Sequence, residues 1–345
     1  MSNTFNVSSS ARRRLLSMFA VGIAGLLGTV WFVMSPMLST DPDGAVPGTY
    51  DIAGPHPGDI TPGQHFTDNA RNYGIEADLP YTFRSNRLGF RGPQPLSDGR
   101  PLVIILGDSF AFGMGVNDGD TFPDTLRETL QNRGYESIVV HNAALPGYTI
   151  ADQLEQWRDK LAALKPDLVL LCHTASDLKE MARPTSFRRL MRWDDEDPSL
   201  QDTDIERLVE EAGGRSELIR SSYTFTQDAL IQRLGAQAPV ELKKLQREYN
   251  ETEISLRDQI EASGASFGLI LWVSGYGMAG LTTGALKDVA QRKNILFFDG
   301  DRAMQSQGQI PVSSLFLPDK HFSSAGNAVA GRQTANWLIG QGLLK

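Results

Sequence analysis

Two segments far apart in the chain carry the residue types of a hydroxyl nucleophile and its helpers. Gly107-Asp108-Ser109 follows an apolar run, and near the C-terminus Asp319 precedes His321 by two positions. A serine hydroxyl becomes an effective nucleophile when a base accepts its proton and a carboxylate orients that base. We therefore expect Ser109, His321 and Asp319 to act as nucleophile, general base and orienting carboxylate, provided that the fold brings them together.

The segments around these residues predict alternating strands and helices. Leu102 to Leu106 is a continuous apolar run, as in a strand that is covered on both faces. Further strands are predicted at 137–141, 167–172, 266–273 and 294–298, and helices at 124–133, 150–164, 240–262 and 325–344. This order predicts an α/β fold, a flavodoxin-like three-layer α/β/α arrangement with a central parallel five-stranded sheet. Residues that follow strand ends should then share one rim, where ligands bind: Ser109, Asn142, His173 and Ser176.

The first block resembles a known family. Gly107 to Val116, in a strand-turn-helix context, is similar to the first sequence block of the SGNH/GDSL hydrolase superfamily of serine esterases and acyltransferases. The resemblance covers about residues 85–345 and implies that Ser109 is the nucleophile. It also implies a backbone oxyanion donor at the glycine that follows the second strand, a position that Gly147 matches. The last block, residues 317–327, resembles the family segment that supplies the Asp and His of the triad.

The third block departs from the family pattern. Family members usually have Gly-x-Asn-Asp after the third strand, where the Asn side chain donates to the oxyanion. Here Asp177 fits the final position and Ser176 stands in place of the Asn. Loss of one oxyanion donor typically lowers the rate about 10²–10³-fold. The sequence leaves three interpretations open: Ser176 is a weaker third donor beside the N–H groups of Ser109 and Gly147, the site suits another acceptor, or catalysis is reduced.

The fourth block also departs in its spacing. Many family members place the Asp three residues before the His, whereas here Pro318 occupies that position and Asp319 lies two before His321. The alternative interpretation of Asp319 is a surface carboxylate at a turn. His173, at a predicted strand end, is expected to be structural rather than catalytic.

The N-terminus predicts a membrane segment. Three arginines, Arg12 to Arg14, precede an uncharged run from Leu15 to Met34. At about 1.5 Å per residue this run spans roughly 30 Å, the thickness of a bilayer core. Residues 1–35 are therefore expected to be a signal anchor or transmembrane helix with its arginines in the cytoplasm. The domain would then be anchored to the inner membrane on its periplasmic or extracellular side, or be secreted if the segment is a cleaved signal peptide.

The rest of the chain divides into a leading segment and one domain. Residues 36–84 are expected to form a linker and leading segment, and residues 85–345 the hydrolase-like domain. A charged stretch at 178–262 is expected to be a helical insertion, either a solvated cap or a wall of the substrate cleft. Arg91 could bind an anionic substrate, although a structural salt bridge is the favoured interpretation.

Composition excludes several functional classes. The net charge of −8 and pI near 5.2 argue against a nucleic-acid partner. No zinc-ligand spacing or phosphate-binding loop occurs, so we expect neither metal nor cofactor.

The predicted function is a serine esterase acting on a small ester or on O-acetyl groups of a carbohydrate. The alternatives are an O-acyltransferase of a surface polysaccharide, or a non-catalytic protein that binds a glycan or a protein partner.

Overall fold

The computed structural model describes residues 46–47, 60, 62–69, 78–93, 99–174, 238–272, 287–306 and 310–344. By internal contacts the chain divides into Met1–Val46 and Pro47–Lys345. The predicted membrane segment at 1–35 and residues 178–237 of the predicted insertion lie outside the described residues. Within the described ranges, no helix has the length and apolarity to cross a bilayer.

Strands and helices alternate from residue 102 onward. The strands are β1 Val46–Pro47, β2 His65–Asn69, β3 Pro80–Arg84, β4 Leu102–Leu106, β5 Val139–Asn142, β6 Leu168–Thr174, β7 Ser266–Trp272 and β8 Leu296–Asp299. The α-helices are α1 Ser109–Phe112, α2 Phe122–Asn132, α3 Ile150–Gln156, α4 Ala238–Ala262, α5 Gly300–Gln305 and α6 Ser324–Gln341, and residues 287–293 are also helical. Helix α3 continues as a π-helical turn at Trp157–Leu161 and a 3₁₀ turn at Ala162–Leu164, and a second 3₁₀ turn spans Val312–Leu315.

Five strands form the predicted parallel sheet. Their spatial order is β5-β4-β6-β7-β8, and every neighbouring pair is parallel. Counted along the chain this is the order 2-1-3-4-5, which is that of flavodoxin-like folds. Strand β4 lies between β5 and β6, and all of its residues are buried, as its unbroken apolar sequence requires. The prediction of a parallel five-stranded sheet is confirmed.

Two apolar cores lie on the two faces of this sheet. Successive side chains of β4 alternate between them because strand residues point to opposite faces. Val103 and Ile105 pack in one core with residues of α2 and α6, whereas Leu102 and Ile104 pack in the other with residues of α4. The sheet is therefore covered on both sides, and its carboxyl edge is left for the loops that carry the polar residues.

Helix α4 is part of the α/β core. The sequence placed it at the end of an insertion, but the structure shows it packed against α3 and β7. Tyr249, Leu256 and Ile260 are fully buried in the same core as the adjoining strands. Parallel neighbours such as β6 and β7 need a crossover connection, which is usually a helix. Residues 238–262 supply that helix.

The leading segment forms a hairpin. Strands β2 and β3 pair antiparallel, with Phe66 opposite Phe83. The rings of Phe66 and Phe83 stack at 4.9 Å, and Phe83 meets the ring of Phe112 edge-on at 5.2 Å. Because Phe112 ends α1, the hairpin packs directly behind the segment that begins with Ser109.

Candidate active site

Ser109 lies on a sharp turn between β4 and α1. The strand ends at Leu106, Gly107 adopts a φ of +156°, and Ser109 is the first residue of the single-turn helix. A Cβ on Gly107 would lie 2.8 Å from the Cβ of Ala111 and 3.1 Å from the Cβ of Cys172. Only glycine allows the helix to approach β6 this closely. The turn leaves Ser109 partly exposed at the carboxyl edge of the sheet.

Asp108 fixes this turn from within. Its side chain is fully buried, and its Oδ1 accepts the N–H of Phe110 at 2.9 Å as the N-cap of α1. Its Oδ2 accepts the hydroxyl of Thr174 at 2.7 Å, so the end of β6 is joined to the turn. A carboxylate that accepts two hydrogen bonds is a strong N-cap. Asp108 therefore orients the helix rather than the imidazole.

The loop before α6 presents the two other predicted residues. The N–H of Leu317 donates to the carbonyl of His321 at 2.8 Å, and the N–H of Lys320 donates to the carbonyl of Leu317 at 2.9 Å. Lys320 has a φ of +75°, a conformation that is uncommon for a residue with a side chain and recurs at functional sites. The resulting tight turn places Asp319 and His321 side by side.

The three predicted residues form one hydrogen-bonded chain. His321 Nε2 lies 2.7 Å from the Oγ of Ser109, and His321 Nδ1 lies 2.8 Å from the Oδ2 of Asp319. The other oxygen of Asp319 accepts the backbone N–H of His321 at 3.1 Å. The ring of Phe110 packs against the imidazole with a centroid separation of 4.8 Å. The spacing of two residues between Asp319 and His321 is therefore enough for direct contact.

The electrostatics keep Asp319 ionised. Its side chain is 1% exposed and that of His321 is 8% exposed. Burial raises the pKa of the Asp319 carboxyl, but the hydrogen bonds and charge of His321 outweigh burial, and the net pKa is below its usual value. An ionised carboxylate accepts a hydrogen bond from Nδ1–H, so the neutral ring presents the lone pair of Nε2 to Ser109. This tautomer is the one that can accept the serine proton.

The loop that carries Gly147 is attached to the nucleophile turn. The N–H of Leu145 donates to the carbonyl of Gly107 at 3.2 Å, and Gly147 follows two positions later with a φ of +73°. Few side chains tolerate that φ, which accounts for glycine at this position. Ser176, the third predicted oxyanion donor, lies outside the described residues, two positions beyond the Thr174 that binds Asp108.

Two other residues at predicted strand ends are structural. The amide of Asn142 donates to the carbonyls of Ala111 at 3.2 Å and Phe112 at 3.3 Å, so it supports the end of α1. The ring of His173 is buried, and its Nδ1 lies 2.6 Å from the hydroxyl oxygen of Tyr249 in α4. Sequence reasoning predicted the place of Asn142 but missed its role, and it assigned no role to Asp108 or Thr174. The only sequence signal for these residues was a polar side chain at or just after the end of an apolar strand.

The described residues contain no candidate metal site. In the ranges that the structure describes, no group of three His, Cys, Asp or Glu side chains could hold a metal ion. The side chains of Asn117 and Asp118, two polar residues after α1, accept the backbone N–H groups of Thr82 and Arg84 at 2.9 and 2.7 Å.

Comparison with known proteins gives a family match. The model of the GDSL-like lipase/acylhydrolase family matches residues 105–271. No curated protein matches the chain at a significant level.

Several solved structures are similar to the chain. TesA has 16% identity and a TM-score of 0.44, with coverage of 70% of this chain and 99% of TesA. The acetylxylan esterase Axe2 from Geobacillus stearothermophilus has 16% identity and a TM-score of 0.42, with coverage of 71% and 96%. The psychrotrophic esterase EstA from Pseudoalteromonas sp. has 13% identity and a TM-score of 0.42, with coverage of 70% and 97%.

The matched residues begin within β4, contain the turn that presents Ser109, and end within β7. They therefore include all or part of four of the five strands of the parallel sheet. Residues 105–271 thus match the GDSL-like lipase/acylhydrolase family of the SGNH/GDSL hydrolase superfamily, and this match supports an ester-hydrolysing serine hydrolase.

Proposed function

We propose that the chain hydrolyses small or carbohydrate-borne O-acyl esters through Ser109, His321 and Asp319 and a covalent acyl-enzyme. One observation carries the proposal: both ring nitrogens of His321 have a partner. Nε2 lies 2.7 Å from Ser109 Oγ, and Nδ1 lies 2.8 Å from the Oδ2 of Asp319. These groups come from two loops at the carboxyl edge of the sheet. Their contacts match the roles of nucleophile, base and orienting carboxylate.

The first half of the reaction forms the acyl-enzyme. Nε2 of His321 accepts the hydroxyl proton while Ser109 Oγ bonds to the acyl carbon. The carboxylate of Asp319 stabilises the imidazolium that results and does not itself take the proton. The imidazolium then gives its proton to the leaving alkoxide, and the alcohol departs.

The oxyanion needs donors that are already in place. We assign this role to the backbone N–H groups of Ser109 and Gly147, with the hydroxyl of Ser176 as a third donor. Ser109 lies in the first turn of α1, where a backbone N–H has no intrahelical partner. Gly147 and Ser176 each follow, by two positions, a residue that is hydrogen-bonded to the nucleophile turn, namely Leu145 and Thr174. The loop that leads to Gly147 and the described end of β6 at Thr174 are thus both bonded to the turn that carries the nucleophile.

The second half of the reaction releases the acid. Water enters where the alcohol left, Nε2 of His321 accepts one of its protons, and the oxygen attacks the acyl carbon. The carboxylic acid departs, and the proton returns to the Oγ of Ser109. Because Ser109 is partly exposed while His321 and Asp319 are nearly buried, water reaches the acyl carbon from the solvent side.

The location that we propose for the domain supports the choice of substrate class. We propose that residues 1–35 anchor the chain in the membrane and place the domain outside the cytoplasm, where acylated polysaccharides occur. Fractionation of cells that express the full chain tests this: the protein should stay with the membrane pellet after carbonate extraction. Release of full-length protein into the wash would overturn the anchor, and a shortened product would indicate a cleaved signal peptide.

Ester hydrolysis by matched variants tests the activity. The full chain, purified in detergent, is assayed with p-nitrophenyl acetate and with an O-acetylated xylo-oligosaccharide, beside Ser109→Ala. Turnover of both esters that is lost in the variant is the expected result. Equal turnover by wild type and variant, or no turnover by either folded protein, would overturn the proposal.

A further inference from the structure

Arg91 is a buried cation whose donors are directed at the segment that follows Ser109. Arg91 is 1% exposed to solvent, and it lies in the turn after the leading hairpin. One terminal nitrogen donates to the carbonyls of Phe112 at 3.2 Å and Gly113 at 2.7 Å. The other donates to the carbonyl of Val116 at 2.7 Å. One guanidinium group therefore binds three backbone carbonyls within residues 112–116.

The guanidinium itself is fixed. Its Nε donates to the Oδ1 of Asp118 at 3.0 Å, which balances its charge. Its carbon lies 5.8, 5.4 and 5.1 Å from the ring centroids of Tyr81, Phe83 and Phe112, within the range of cation–π contact. Two of these rings belong to the leading hairpin. Arg91 therefore contacts both the hairpin and residues 112–118, and it fixes the position of one relative to the other.

Helix α1 needs such support because it is a single turn. A helix of four residues has almost no internal hydrogen bonds, and isolated short helices are not stable in water. Its N-terminal end is held by Asp108 and its C-terminal carbonyls by Asn142 and Arg91. Since Ser109 is the first residue of this helix, these contacts determine where its Oγ lies relative to His321.

We propose that Arg91 is a positioning residue for Ser109, and that residues 80–92 are part of the catalytic unit although the family match begins only at residue 105. The inference rests on the proposed role of Ser109. Arg91 acts through the backbone of residues 112–116 and does not contact the ester. Lysine cannot replace it, because an ammonium is a single point of donation whereas the guanidinium binds three carbonyls and a carboxylate in fixed directions.

The test compares Arg91→Lys and Arg91→Met with Lys160→Met in the full chain. Lys160 is the matched control: it is a buried cation that donates to the carbonyl of Leu88 at 3.2 Å and lies 5.1 Å from the ring of Phe90, in the same turn as Arg91. Both of these contacts are with the turn that carries Arg91. The readouts are kcat and KM for p-nitrophenyl acetate and amide hydrogen exchange of a peptide covering residues 109–116.

We expect both Arg91 variants to lower kcat about 10²-fold, the loss that a misplacement of about 1 Å produces, with KM within threefold of wild type. Exchange in 109–116 should quicken at least tenfold while peptides from β6 keep their protection. Lys160→Met should leave kcat and this exchange within twofold. If Arg91→Met does not fold, Arg91→Lys and Asp118→Asn decide, with expected losses of about 10²-fold and tenfold.

Retention of kcat within threefold in Arg91→Lys, or unchanged exchange in 109–116, would overturn the inference. The exchange readout needs no turnover. A wild type that hydrolyses no ester would therefore count against the proposed function, while faster exchange in the Arg91 variants would still support the role of Arg91.

Discussion

The Asp319→Asn variant tests how the imidazole is oriented. One carboxylate oxygen of Asp319 accepts the backbone N–H of His321 at 3.1 Å, and the other lies 2.8 Å from Nδ1. In the variant, the amide oxygen must stay on the backbone N–H because an NH₂ group cannot accept that hydrogen. The NH₂ group then faces Nδ1 and can only donate to it. The neutral ring must carry its proton on Nε2, directed at Ser109.

The size of the effect follows from this tautomer. A ring with a proton on Nε2 cannot accept the serine proton, and the corresponding change in trypsin-like proteases lowers kcat about 10⁴-fold. That factor is about 5.5 kcal/mol of transition-state stabilisation. The Asp319 side chain is 1% exposed, so water cannot readily take over the role of the carboxylate. We therefore expect a loss of about 10⁴-fold in kcat with little change in KM.

The assay is steady-state hydrolysis of p-nitrophenyl acetate, with Asp299→Asn as control. Asp299 also has a pKa below its usual value, since contacts with Lys287 and Arg302 outweigh the effect of burial, and it caps α5 through the N–H of Arg302. An Asn keeps that cap, so kcat should stay within twofold. Asp319→Asn activity within tenfold of wild type would refute the orienting role.

Stability gives a second readout for the same variant. The pKa of Asp319 is lower in the folded protein than its usual value of 3.8. Its contribution to stability is therefore fully present above that usual value and is lost as pH falls through the folded pKa. The difference in urea midpoint between wild type and Asp319→Asn should be constant near neutral pH and narrow below about pH 4.

Three further changes test the surroundings of the site. Burial lowers the pKa of His141 to about 4, so its contribution to stability is present above its usual pKa of 6.5 and falls as pH drops; urea unfolding should show a loss of about 2 kcal/mol between pH 7 and pH 5 that His141→Leu removes, and an unchanged slope would contradict this. Gly107→Ala should destabilise by about 1–3 kcal/mol and lower kcat, because its Cβ would meet α1 and β6; calorimetry and turnover equal to wild type would argue against the close approach. Gly147→Ala should cost about 1–2 kcal/mol at φ +73° and lower kcat with KM unchanged, whereas a change in KM alone would count against an oxyanion role.

The strands were the most predictable part of the fold. Leu102–Leu106 was predicted with its observed bounds because a strand buried on both faces has an unbroken apolar sequence. Other bounds moved by a residue or two, as for β5, predicted at 137–141 and observed at Val139–Asn142. The predicted helix at 150–164 changes to a π-helical turn at Trp157, because the apolar spacing of a helix does not distinguish i+4 from i+5 hydrogen bonds.

The residues of the candidate triad were also predictable, whereas their supports were not. Ser109 and His321 stand in local patterns that are recognisable from neighbouring residues alone. The contacts of Asp108 with Thr174 and of Arg91 with Asp118 join residues 66 and 27 positions apart. Such pairs depend on the finished sheet order and on the hairpin packing. Helix α4 was assigned to an insertion for a similar reason. Its apolar residues pack against the sheet and α3, and that packing also depends on the finished sheet order.

Covalent labelling of Ser109 tests the central claim most directly. The full chain is treated with a fluorophosphonate, which reacts with activated serine hydroxyls, and the adduct is located by peptide mass spectrometry. We expect one adduct, on Ser109, that is absent from Ser109→Ala and forms at least 10³-fold more slowly in His321→Ala. An adduct on another residue, or labelling of Ser109 that does not depend on His321, would contradict the proposed triad.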